Sequence, residues 1–132
     1  MKWWPKECAF GDMIRIKINS IYHYGIFVSE NEVIQFGLPP VNIRSLTSQD
    51  AEVLSTDINT FSAGNIVEVG DMDRKEKKKA RTPEKIVETA RSRIGEKGYD
   101  LLQNNCEHFA YECVFGEKFS SGVDEISRKW GK

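Results

Sequence analysis

Hydrophobic and polar positions alternate in the first half of the chain and recur at helical spacing in the second. Ile14, Ile16 and Ile18 alternate with Met13, Arg15 and Lys17, the period of a half-buried strand. Asn19 and Ser20 mark a turn. Residues 21–28 are rich in aromatic and β-branched side chains and predict a second strand. Residues 29–31 predict a loop, residues 32–36 a third strand, and Gly37 to Pro40 its end. Val41 and Ile43 suggest a short strand, residues 48–65 read as polar loop, and residues 66–69 as a strand closed by Gly70. The charge run at residues 73–81 reads as a solvated linker.

Helices follow. Thr82 fits an N-cap and Pro83 the first helical position; Ile86, Val87, Ala90 and Ile94 form a stripe that Gly95 stops. Residues 99–103 form a connector. A second helix starts after the N-cap Asn105, carries Cys106, Phe109, Ala110, Cys113 and Val114 on one face, and stops at Gly116. Val123, Ile126 and Trp130 suggest a third helix. Strands first and helices after predict an α+β fold, an antiparallel sheet covered by helices on one face.

Composition narrows the function classes. The 132 residues, 39% hydrophobic and 30% charged, suit one globular domain over residues 1–132. A net charge of -1 gives no sign of nucleic-acid binding. No apolar run approaches the roughly 18 residues of a membrane span, and residues 1–7 lack the apolar stretch of a signal peptide. The expected compartment is therefore cytoplasmic. Three cysteines do not make a disulfide framework.

Cys106 is the most informative residue. In the first turn of a helix its thiol feels the positive end of the dipole, which favours the thiolate. It also lies on the apolar stripe, so on the pattern alone a packed core thiol and an activated nucleophile both stand. Cys113 sits mid-helix and reads as core. Of the two histidines, His108 is two residues after Cys106 and faces elsewhere, which leaves it a structural role. By elimination His23, in a strand, is the candidate base. Gln35 is the candidate to orient the imidazole. A three-residue loop at 29–31, with Asn31 left-handed, would pair Gly25 with Gln35 and set His23 and Gln35 diagonally on one face. A two- or four-residue loop would place Gln35 on the opposite face. Paired metal-ligand spacing is missing, so neither metal nor cofactor is expected.

The stretch Asn105-Cys106-Glu107-His108-Phe109 resembles the N-C-E-H-F signature of the lecithin:retinol acyltransferase family, which includes the H-Ras-like suppressor phospholipid acyltransferases. Gly11 to Ile14 resembles the family's G-D-L-I strand, and residues 23–28 its H-W-A-I-Y-V strand. Residues 111–116 resemble the end of its cysteine helix. The resemblance implies a circularly permuted papain-like fold akin to the NlpC/P60 superfamily. It implies Cys106 as the nucleophile that forms an acyl-thioester, with His23 as general base. The phospholipid acyltransferases have a histidine at the third polar position, where this chain has Gln35, whose carbonyl can accept the imidazole N–H. The implied activity is a cysteine-dependent acyltransferase or lipid hydrolase acting on an acyl ester such as a glycerophospholipid. An amidase, peptidase or thioesterase of NlpC/P60 type and a non-catalytic binding module are the alternatives. Many animal members carry a C-terminal membrane anchor, which the polar residues 127–132 do not predict here. The implied partner is a lipid or other acyl-ester substrate. A transient membrane-surface contact through Trp3, Trp4 and Trp130 is set against ordinary packing of those rings. No oligomeric state is implied.

Overall fold

A computed structural model describes residues 1–37, 50–99 and 105–116. The expected strand at Val41 and Ile43, most of the connector at 99–103, and the expected C-terminal helix with Trp130 lie outside the described residues. Six strands, β1 (Lys2–Trp4), β2 (Met13–Ile18), β3 (Ile21–Ser29), β4 (Glu32–Gly37), β5 (Glu52–Thr56) and β6 (Glu68–Asp71), form one sheet. Its order is β1-β6-β2-β3-β4-β5 and every pairing is antiparallel. The helices are α1 (Ile58–Ser62), α2 (Arg74–Lys79), α3 (Pro83–Ser92) and α4 (Cys106–Phe115). The fold is α+β, as the order of patterns implied.

The sheet is covered on both faces, not one. Tyr24, Ile26, Ile34 and Phe36 point toward α3 and α4, where Phe109, Ala110 and Ile86 complete the larger core. Phe36 meets Phe109 edge to face at 6.4 Å. On the other face Ile14, Ile16, Phe27, Val33 and Val69 pack under Phe61 of α1. Met13 and Ile14, neighbours on β2, are therefore both buried. Ile18 and Ile94 depart from their expected buried stripes: Ile18 ends β2 at a turn, and Ile94 lies past the last residue of α3.

Local signals set most element ends. Thr82 caps α3 with Pro83 in the first turn, and Asn105 caps α4, which Gly116 ends at φ +80°. Two segments read as irregular are regular. Residues 48–65 contain β5, an edge strand whose Val53 is fully buried, and α1, capped by Asp57. The charge run forms α2, closed by a capping box of Asp73 and Glu76 and burying no side chain. The predicted strand at 66–69 begins two residues later, at Glu68.

The β3–β4 connection corrects the loop expectation. The turn is two residues, Glu30 and Asn31. Asn31 is not left-handed; Asn19, Ser20 and Ala63 are the described non-glycine residues with positive φ. Such a turn alone would send Gln35 to the wrong face. A bulge between Phe27 and Ser29 adds one residue, Val28, and shifts the register back, so that Gly25 pairs with Gln35 after all.

Gly11 ties the sheet to α3. Its φ is +86°, and a Cβ there would lie 2.8 Å from Pro83 Cα and Cβ. Gly11→Ala is expected to destabilise the fold by about 1–3 kcal/mol, through backbone strain and the clash together. Thermal unfolding checks this: the melting temperature should fall by several degrees, and an unchanged value would rule out close docking of the β2 start on α3.

Candidate active site

Three residues far apart in sequence converge at one end of the sheet. His23 lies near the start of β3. The β3–β4 ladder stops at the Gly25–Gln35 pair, so His23 stands two residues beyond it. Two glycines make room for its ring. A Cβ on Gly37 would lie 3.2 Å from His23 Cε1. A Cβ on Gly25 would lie 2.8 Å from the Phe61 ring, and that ring packs against the imidazole at 5.4 Å between centroids. Gly25 thus opens space for the Phe61 ring that packs on the imidazole.

Gln35 is buried and its amide is held at both ends. His23 Nε2 donates to Gln35 Oε1 at 2.6 Å, and Gln35 Nε2 donates to Thr56 Oγ1 at 2.8 Å. Thr56 on β5 therefore anchors the far end of the amide. With its hydrogen on Nε2, the ring keeps the Nδ1 lone pair for another partner.

That partner is the Cys106 thiol, which is hydrogen-bonded to His23. Cys106 opens α4 and belongs to the core on the helix side, whereas the imidazole lies against Phe61 on the other. They meet because the ladder has already ended there. The Tyr24 backbone N–H also donates to the sulfur. Burial opposes charge on the thiol, but the hydrogen bond and charge of His23 and the Tyr24 N–H outweigh it, so the thiol titrates below its ordinary value. Burial likewise opposes charge on His23, but the thiolate and the Gln35 carbonyl outweigh it and hold the imidazolium above its ordinary range. The other two cysteines behave oppositely. Burial pushes Cys113 up to about 12 and raises Cys8 as well.

Tyr99 completes the surroundings. Its hydroxyl is hydrogen-bonded to the Cys106 sulfur and accepts the Cys106 backbone N–H. Its ring stands edge-on to Phe36 at 5.2 Å. Burial and the neighbouring thiolate push the phenol up to about 12, so it stays protonated and able to donate. His108 points elsewhere, as its position on the helix implied. It is buried, and its Nδ1 accepts the Asn105 N–H in the capping box of α4.

The structure thus brings Cys106, His23 and Gln35 together. Thr56, Phe61 and Tyr99 are the neighbours that residue patterns missed. Thr56 and Phe61 fell in a stretch read as loop, and Tyr99 in a connector, so no periodic signal pointed to them. Among the described residues no three His, Cys, Asp or Glu converge as a metal site.

Comparison with known proteins gives the family. The lecithin retinol acyltransferase family matches residues 6–119. This chain belongs to that family. The α+β sheet with Cys106 at a helix N-terminus is accordingly the circularly permuted papain-like, NlpC/P60-like fold of its members. Lecithin retinol acyltransferase from Bos taurus is 29% identical over 135 residues, which cover 88% of this chain. The Mus musculus protein of that name is 30% identical and the Homo sapiens one 28%, over the same share. This LRAT-family chain spans 58% of the length of those relatives. No helix among the described residues is long and apolar enough to cross a membrane.

Proposed function

We propose that this LRAT-family chain is a cysteine-dependent acyltransferase or acyl hydrolase that takes an acyl group from a lipid ester through a thioester on Cys106. The observation that carries this is the chain Cys106–His23–Gln35–Thr56, with the one depressed thiol among three cysteines at its head. The named relatives are acyltransferases by their descriptions, which agrees with the ester substrate.

The chemistry follows from the atoms present. His23 Nδ1 takes the thiol proton, and the sulfur attacks the ester carbonyl carbon, forming the C–S bond and a tetrahedral oxyanion. The Tyr99 hydroxyl and the Cys106 backbone N–H meet beside the sulfur and supply donors to that oxygen, at the positive end of α4. The oxyanion collapses, the C–O bond breaks, and the His23 imidazolium gives its proton to the leaving alkoxide. Water or a hydroxyl or amine acceptor then attacks the thioester, gives a proton to His23, and releases the thiolate. Gln35 Oε1 holds the imidazole N–H throughout.

Tyr99→Phe tests the oxyanion role. It should lower kcat by about 10²-fold with little change in KM, because a donor needed mainly in the transition state is lost. The Phe36 contact and the fold should survive. A variant with unchanged kcat would remove Tyr99 from the mechanism. The whole reading is tested by intact-protein mass after mixing with a short-chain phosphatidylcholine, alongside release of free fatty acid. A gain of one acyl mass on wild type, or fatty-acid release, supports it, provided Cys106→Ser shows neither. Cleavage of peptide amides with no action on the ester overturns it.

A further inference from the structure

The end of the sheet beside His23 carries apolar side chains that no core covers. Ile18 closes β2 and Ile21 opens β3; the two are register partners and are 41% and 70% exposed. Between them stand only Asn19 and Ser20, both left-handed, at φ 50° and 71°, as a two-residue hairpin turn requires. The tip is therefore narrow and projecting. The next register pair inward on the same face is Ile16 with His23, beyond Lys17 with Tyr22. Ile21 and His23 are two residues apart on one strand, so they share a face, separated by about 7 Å.

The opposite face of the tip presents Lys17 and Tyr22. The ammonium lies 5.7 Å from the Tyr22 ring centroid. Both side chains line an open cleft of about 540 Å³, with Pro5 and Ile66 among the other walls, and Ile66 is 70% exposed. The one carboxylate lining that cleft, Glu68, is held by Arg15 at 2.8 Å, which leaves Lys17 as the cation of the tip.

We propose that this hairpin tip is a membrane-docking surface that seats the protein on a phospholipid bilayer. Ile18 and Ile21 enter the acyl-chain boundary, Tyr22 lies at the headgroup level, and Lys17 meets a headgroup phosphate. The composition is that of an interfacial anchor: aliphatic side chains to insert, an aromatic ring for the boundary, and a cation for phosphate. A protein partner would need a broad complementary face, whereas the tip is a wedge two strands wide. Docking here sets His23 two residues, about 7 Å, behind the inserting pair, near the level where an ester bond of a phospholipid lies. The inference rests on the lipid-ester reading only for its purpose; the docking itself is independent of turnover.

The test uses the full chain and sucrose-loaded vesicles of long-chain phosphatidylcholine, with and without phosphatidylserine. Wild type and Cys106→Ser should both sediment with vesicles, since docking needs no catalysis. Ile18→Asp/Ile21→Asp should bind at least about tenfold more weakly, because two apolar side chains leave the lipid and two carboxylates oppose it. Lys17→Gln should reduce only the added binding that phosphatidylserine provides. Turnover of a water-soluble short-chain ester should be unchanged in the double variant, which reports both an intact site and an intact fold. Failure of wild type to sediment, or equal sedimentation of the double variant, overturns the surface. Vesicle binding without ester turnover would overturn the lipid-ester reading and leave the surface standing.

Discussion

Cys106→Ser is expected to cut acyl transfer or hydrolysis by about 10⁴-fold or more, with the fold intact. The reason is a mismatch of acidity. His23 and Cys106 share a proton because the thiol is depressed and the imidazolium raised. A serine hydroxyl is far less acidic than a thiol, so the same imidazole cannot hold its proton in the ground state. Serine is also close to cysteine in volume, and its oxygen faces the same His23, Tyr24 and Tyr99 partners, so little packing is lost. Steady-state turnover and thermal melting, measured together, check this. Turnover near wild type would exclude Cys106 as nucleophile. A collapsed melting temperature would shift the test to rapid alkylation of the wild-type thiol, where a sluggish Cys106 would exclude it equally.

His23→Ala should lower activity by about 10³-fold or more and abolish the neutral-pH reactivity of Cys106. Without the imidazolium the burial of the sulfur loses its largest opposing influence and only the Tyr24 N–H and the Tyr99 hydroxyl remain, so the thiol rises. Iodoacetamide labelling against pH reads this directly: the labelling midpoint should move up. A midpoint unmoved by the substitution would break the pairing. The wild-type pH profile follows from the same shifts. As pH falls through the depressed Cys106 value, the thiolate is protonated and the acidic limb appears. As pH rises through the raised His23 value, the imidazolium that must protonate the leaving group is lost, giving the basic limb.

Stability should track the same pair. The raised His23 contributes fully below its unfolded value of 6.5 and loses that contribution as pH rises through its folded value. The depressed Cys106 contributes fully above its unfolded value of 9.0 and loses that contribution as pH falls through its folded value. Between 6.5 and 9.0 the two slopes oppose each other. The pair's net contribution should therefore change little with pH across that window, with the full share of His23 holding below it and that of Cys106 above it.

Gln35 shows how a correct placement can rest on a wrong local picture. The pairing of Gly25 with Gln35 was legible from the strand patterns. The three-residue loop that was to produce it does not exist. A bulge at Val28 supplies the missing residue instead. A bulge and a longer loop change strand parity in the same way, and nothing in the side chains of residues 27–32 distinguishes them.

The sequence by itself determined the elements with strong local physics. The cap of Asn105 and the stop at Gly116 delimit α4 and put Cys106 in its first turn. Thr82 and Pro83 start α3, and the alternation at residues 13–16 marks a strand. These depend on hydrogen bonds and steric limits within a few residues, which neighbouring letters carry. Only the tertiary structure decided that both faces of the sheet are covered, and that β5 and α1 lie in a polar stretch. It alone set Thr56 on the far end of the Gln35 amide, Phe61 against the imidazole and Tyr99 beside the sulfur. Those contacts join residues that share no period and no motif. They form because the ladder ends at Gly25 and the helix start can then reach across the sheet to His23, a consequence of how whole elements pack.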